Sequence, residues 1–225
     1  MRCRCRDADT FRGDALGGLL DHLVHERPDT PPGITPAWSD HRCPRTGARW
    51  YVHRPITAPD ELEGWRYPDV RERDLRTPVF IARAAATWQT VYRNGSRRER
   101  FDAQETLYSR TFLDYVTRLQ HGDADPEAAI VFLEIDPWVP WSGYHKQRLL
   151  RFVSRVTLTD SHRARLHDVV VETTRKGPRR EFRETTLLAK RIWTADFEAR
   201  LHALAAADER LAAPVEQLIR KRYTR

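Results

Sequence analysis

The apolar positions of this chain fall mostly at helical spacing. Leu16, Leu19, Leu20, Leu23 and Val24 repeat at i, i+3, i+4, i+7 and i+8 and predict a helix over residues 14–25, weakened by Gly17 and Gly18. Residues 27–36, rich in Pro, Thr and Asp, break the period and predict a loop. The stretch ARWYVHRPI at 48–56 is aromatic and β-branched, bounded by Gly47 and Pro55, and predicts a strand. Residues 59–76 carry prolines and alternating charges without a clear period, with room for a short β element. Thr77 and Pro78 then have the form of an N-cap and first helical residue, and Gly95 suits the position after the helix end at Tyr92 and Arg93. Asp102 and Glu105 resemble a capping box ahead of the stripe Tyr108, Phe112, Tyr115, Val116 and Leu119, with Gly122 as its stop. These two helices are expected to pair as an antiparallel hairpin.

Asp125-Pro126 can open a helix through Ile135, although AAIVFLEI would serve equally as a buried strand; Pro137 and Pro140 end it either way. Ser142 is placed to cap a helix to Val156, and Thr159 to cap another to Lys176, stopped by Gly177-Pro178. A third helix is expected over 179–192. Thr194 can cap the next, with Phe197, Leu201, Leu204 and Ala205 inward, and a last helix carries Leu211, Val215, Leu218 and Ile219. The starts, at about 126, 142, 160, 179, 195 and 210, lie 15 to 19 residues apart, so helix pairs give a unit of about 34 to 37 residues. In helix length and spacing, over about 100 residues, the C-terminal half resembles α-helical repeat proteins of the HEAT or armadillo type. The other arrangement with the same pattern is an irregular helical bundle. The expected fold is mainly α, helical hairpins with a small N-terminal α+β section at 1–76 and a helical domain at 77–225.

Composition sets the class and the compartment. At 225 residues with 40% apolar content the chain can bury a core without disulfides, and its three cysteines, Cys3, Cys5 and Cys43, do not make a secreted disulfide framework. A cytoplasmic protein without signal peptide or membrane span is expected, since no apolar segment follows the charged MRCRCR start. The net charge of +7 is unevenly distributed. From Ser142 onward there are 19 Lys/Arg against 10 Asp/Glu, whereas residues 1–141 are close to neutral. With 35 Arg and 4 Lys, arginine is common everywhere, so its position matters more than its number.

Four groups of residues could carry chemistry. The first is basic: Arg148, Arg151 and Arg155 recur on one side of the predicted 142–156 helix, and Arg175, Lys176, Arg179, Arg180 and Arg183 gather at the next junction. Guanidinium groups in a row suit a phosphate backbone or an acidic protein surface. The same residues could instead form a solvated face paired with Glu172, Glu181 and Glu184. The second is PWVPWSGY at 137–144, where Trp138, Trp141 and Tyr144 precede the basic helix. Aromatics beside arginines provide for base stacking, and packing plugs at a helix junction are the plainer use of the same rings. Helical-repeat alkylpurine DNA glycosylases are similar in combining such aromatics with a carboxylate in a basic groove, which would give that role to Asp136.

The third group is Cys3, Cys5, His41 and Cys43, a loosely spaced ligand set for a structural zinc, with His22 and His25 nearby in sequence. The fourth is the acidic run His121, Asp123, Asp125, Glu127, Glu134 and Asp136. There Glu134 and Asp136 would share a face if the segment were a strand, as Mg²⁺-dependent cleavage needs; Asp168 and Glu172 with Lys176 are a helical variant. Asp123 and Asp125 also serve as helix caps. No phosphate loop, nucleophile elbow or HExxH helix occurs. The expected role is a non-catalytic scaffold for nucleic acid or an acidic protein surface. A nucleic-acid-processing enzyme and a pure protein-interaction module are the alternatives.

Overall fold

The computed structural model of the protein describes residues 5, 10–12, 23–25, 38–53, 63–177 and 179–223. They belong to two units, residues 1–69 and 70–225. The protein is mainly α, with a small N-terminal part built on an antiparallel sheet.

In the first unit β1 (Thr10–Arg12), β2 (Val24–His25), β3 (Trp38–Arg42), β4 (Arg49–His53) and β5 (Glu63–Arg66) pair antiparallel in the order β1-β5-β4-β3-β2. The predicted strand at 48–56 is β4, with its last residues, 54–56, outside the described residues. Trp50 and Val52 alternate inward along it, and Trp50 is fully buried, which is the period-two pattern of a half-covered sheet. Val24 and His25 are strand paired with Arg42 and His41, where a final helical turn was expected; the predicted helix at 14–22 and the loop at 27–36 lie outside the described residues. The β3–β4 turn needs Gly47 at φ 72, and there the Thr46 N–H donates to Cys43 Sγ at 3.4 Å.

The second unit opens with the short α1 (Glu72–Leu75) and α2 (Pro78–Asn94), which starts at Pro78 as its sequence requires. Gly95 follows at φ −72 rather than left-handed. A Cβ there would meet the Val91 carbonyl oxygen and Cβ at 2.6 Å, so close approach and not backbone twist calls for glycine. The helix expected from Asp102 is two helices. α3 (Arg97–Leu107) is opened by a capping box of Ser96 and Glu99, and α4 (Arg110–His121) by Ser109. Gly122 ends α4 left-handed at φ 82. Tyr108, Phe112, Tyr115, Val116 and Leu119 are all buried, as the stripe predicted.

The ambiguous apolar run is helix α5 (Glu127–Ile135), and residues 128–133 are buried without interruption. A helix apolar on every side has to be enclosed, and α5 packs against α1, α2, α6 and α7. The remaining helices are α6 (Ser142–Val153), α7 (Asp160–Arg175), α8 (Phe182–Arg191), α9 (Ala195–Ala207) and, after a 3₁₀ turn at Glu209–Leu211, α10 (Ala212–Tyr223). Thr159 and Thr194 cap α7 and α9 through their hydroxyls as expected. Ser142 is not a cap: α6 starts from Trp141, and Ser142 is already helical. From α4 onward each helix touches its next-but-one neighbour: α4 with α6, α6 with α8 and α8 with α10 in one row, α5 with α7 and α7 with α9 in the other. Among the described residues no helix is long and apolar enough to cross a membrane.

The Tyr115 hydroxyl ties α4 to the start of α5. It donates to the Asp125 carbonyl at 2.8 Å and accepts from the buried Ala129 N–H at 3.0 Å. Tyr115→Phe leaves that N–H without a partner in the core and is expected to cost about 1–3 kcal/mol in urea unfolding with an unchanged m-value.

Candidate nucleic-acid interface

The turn between α5 and α6 runs from Asp136 to Trp141, and both of those residues have positive φ, 47 and 68. Asp tolerates this region because its short side chain can bond locally; Trp does not. The turn is tied down on all sides. Gln89 of α2 donates to the Trp138 carbonyl at 3.0 Å, and the Tyr108 hydroxyl to the Pro140 carbonyl at 3.1 Å. The Ser142 hydroxyl accepts from the Val139 N–H at 3.4 Å.

Asp136 is the electrostatic centre of the turn. Its carboxylate meets Lys146 Nζ at 2.5 Å, Lys176 Nζ at 2.6 Å and the Arg179 guanidinium at 3.4 Å. Burial by itself would push its carboxyl up, but the hydrogen bonds and charges of Lys146 and Lys176 outweigh that and hold it below the usual carboxylate range. Lys146 has 3% of its side chain exposed, so Asp136 neutralises a buried ammonium. Three cations on one carboxylate leave the cluster positive.

Over this cluster lie the aromatics. Trp138 is 68% exposed, with Arg179 Cζ 4.9 Å and Lys146 Nζ 5.9 Å from its ring centroid. Tyr144 is 49% exposed and has Arg180 Cζ 4.1 Å from its centroid. Trp141, 62% exposed, inclines toward Tyr144 at 6.1 Å. These side chains and Glu181 enclose a cleft of about 250 Å³ between the starts of α6 and α8, held in register by Gln147, which donates to the Arg180 carbonyl at 3.0 Å.

The other predicted basic residues divide by partner. Arg151 pairs with the buried Glu184 at 2.8 Å, and Arg175 with Glu172. Arg148 and Arg155 each place Cζ 5.9 Å from the Phe152 ring, and α6 ends at Val153, so Arg155 projects from the turn beyond it and the three arginines do not form one helical row. Arg148, Arg155, Arg180 and Arg183 have no carboxylate in ion-pair range among the described residues.

Glu134 and Asp136 point to different partners, because the segment is helical. Glu134 and Glu127, seven residues apart on α5, both receive Arg165 of α7, at 2.6 and 2.7 Å. Cys5 and Cys43 are buried and His41 lies in β3, while Cys3 is outside the described residues. No group of three or more His, Cys, Asp or Glu among the described residues could hold a metal ion.

Lys146, Gln147 and Arg165 were not singled out by sequence. Lys146 had a signal: it stands in register with Leu149, Leu150 and Val153, and a lysine on an apolar face needs a counter-charge. His145, beneath the turn, stacks on Tyr108 at 4.2 Å and meets Phe112 edge-on at 5.3 Å. Its buried Nδ1 has no hydrogen-bond partner among the described residues, and burial, with the nearby Arg148 charge, lowers its pKa to about 4.

Asp136→Asn keeps the left-handed residue but strips the buried ammonium of its counter-charge, and is expected to destabilise by about 3 kcal/mol; adding Lys146→Met recovers most of that loss in thermal unfolding. His145 is neutral in the fold, with its pKa depressed below the unfolded value near 6.5. Its contribution is therefore complete above that pH and is lost as pH falls toward 4. His145→Phe should flatten the fall in stability across that window, by on the order of 2 kcal/mol with allowance for the ring's partial exposure. Comparison with protein families, curated proteins and solved structures finds no match, so the chemistry of this cleft stands on its own residues.

Proposed function

We propose that the protein is a non-catalytic binding scaffold that engages nucleic acid through the face formed by the starts of α6 and α8. The observation that carries this reading is the cleft itself, in which exposed Trp138, Trp141 and Tyr144 adjoin Arg179 and Arg180. An acidic protein surface would use the arginines and leave the indole faces without a matching group. Nucleic acid uses both, phosphate on guanidinium and base on ring.

The engagement of the two carboxylates that a base-excising or cleaving role would use supports a binding role instead. Asp136 is occupied by three cations and Glu134 by Arg165, so each is committed to holding helices together. The next-but-one helix packing supports the resemblance to stacked helical hairpins of the HEAT type, a construction that lines up successive helix ends along one edge. Zinc has no part in this reading.

Arg148, Arg155, Arg180 and Arg183 can be reversed without breaking an ion pair among the described residues. The wild-type protein is expected to bind fluorescent 20-nucleotide DNA or RNA, with affinity falling steeply from 50 to 200 mM salt. The fourfold Arg→Glu variant should keep its circular dichroism spectrum and lose at least about a hundredfold in affinity, with a shallower salt slope. Absence of binding at 50 mM salt, or binding indifferent to the four reversals, would overturn the proposal in favour of a protein partner.

A further inference from the structure

We infer that the cleft selects unpaired bases, and that Trp141 is the platform on which a base of single-stranded nucleic acid stacks. This inference rests on the nucleic-acid reading above and specifies its ligand.

Three observations converge on Trp141. First, the three rings of the cleft are not equivalent. Arg179 and Lys146 lie over Trp138, and Arg180 lies over Tyr144, whereas no cation lies over the Trp141 indole among the described residues. An indole that is 62% exposed, with no cation over it and only the Tyr144 ring tilted beside it at 6.1 Å, keeps a face open to a planar ligand.

Second, Trp141 holds a left-handed backbone at φ 68, a conformation that costs a bulky residue about what a lost hydrogen bond would. Its contribution to the fold is made by its backbone, since the Trp141 carbonyl accepts from the N–H groups of Tyr144 and His145 to start α6. Glycine would do the same without strain. A tryptophan at a glycine position, with its ring mostly in solvent, serves something other than folding.

Third, the surroundings match the rest of a nucleotide. The cleft of about 250 Å³ is of a size for a single base, and Arg180, with no carboxylate in ion-pair range, stands at its edge for the flanking phosphate. A duplex exposes base edges and buries base faces in the stack, so only an unpaired base can meet Trp141 face to face.

Trp141→Gly separates this role from folding. Binding of a 20-nucleotide single-stranded oligonucleotide and of its duplex is measured by anisotropy, together with tryptophan quenching and thermal unfolding. The wild type should bind the single strand more tightly and show quenching. Trp141→Gly should keep or raise the melting temperature, lose about ten- to hundredfold in single-strand affinity, and leave the duplex affinity and salt slope unchanged. Trp138→Ala serves as the comparison and should lose less single-strand affinity. Equal affinity for single strand and duplex, or a Trp141→Gly variant that binds the single strand as the wild type does, would sink this inference while leaving the nucleic-acid reading intact. Failure of the wild type to bind either oligonucleotide would remove both.

Discussion

A lysine ammonium enclosed in protein has to be neutralised where it lies, and the helical unit is arranged around that requirement. Lys146 faces inward from α6, and the counter-charge comes from Asp136, the residue that ends α5. The chain leaves α5 through Asp136 in a left-handed conformation and turns to Trp141, which is left-handed as well. The same carboxylate draws in Lys176 from the end of α7 and Arg179 ahead of α8. One buried pair thus fixes the mutual position of four helix ends. The cost of desolvating two charges is offset by their mutual attraction and by the further cations on Asp136.

That turn shows how a surface can be both polar and rigid. Its aromatic residues lie in solvent, yet its backbone is held at the carbonyls of Trp138 and Pro140 by the side chains of Gln89 and Tyr108, from segments well separated in sequence. Below it, His145 packs as a neutral ring among Tyr108 and Phe112. A backbone already held in place before a ligand arrives has less freedom to lose on binding, which favours the aromatics it carries.

Much of the fold was legible in the sequence because helices announce themselves locally. Thr159, Thr194 and Gly122 terminate helices where their chemistry requires, and the apolar stripes of α4, α9 and α10 are the buried faces. Errors arose where two signals compete. Asp102 and Glu105 resemble a capping box, but Ser96 and Glu99 form the real one a turn and a half earlier, leaving Ser109 to open a second helix. The run at 128–133 has no period because it has no exposed face, and only its surroundings make it a helix. For the cleft, the residue types at 137–144 and 175–183 drew attention by composition. What periodicity could not convey was their division of labour: which arginines are spent on Glu172, Glu184 and Asp136, and which remain open. The Arg175–Glu172 pair is local and follows from helical spacing, but the pairs of Arg151 with Glu184 and Arg179 with Asp136 span more than 30 residues, belong to the packed chain and leave no mark on local spacing.

The enclosure of α5 also bears on how the chain survives its own synthesis. Residues 128–133, AAIVFL, are uncharged and apolar, the composition of a segment that associates with other chains if left uncovered. On the ribosome that segment emerges after α1 and α2 but before α6 and α7, the helices that complete its cover. Glu127 and Glu134 stand at its two ends, with Pro126 and Pro137 just outside, the charged and β-breaking neighbours that discourage intermolecular strand pairing. When α7 arrives, Arg165 takes hold of both glutamates at once. The same two glutamates whose charge disfavours strand pairing of the apolar run are, in the finished protein, the ones Arg165 bridges to fasten α7 over α5.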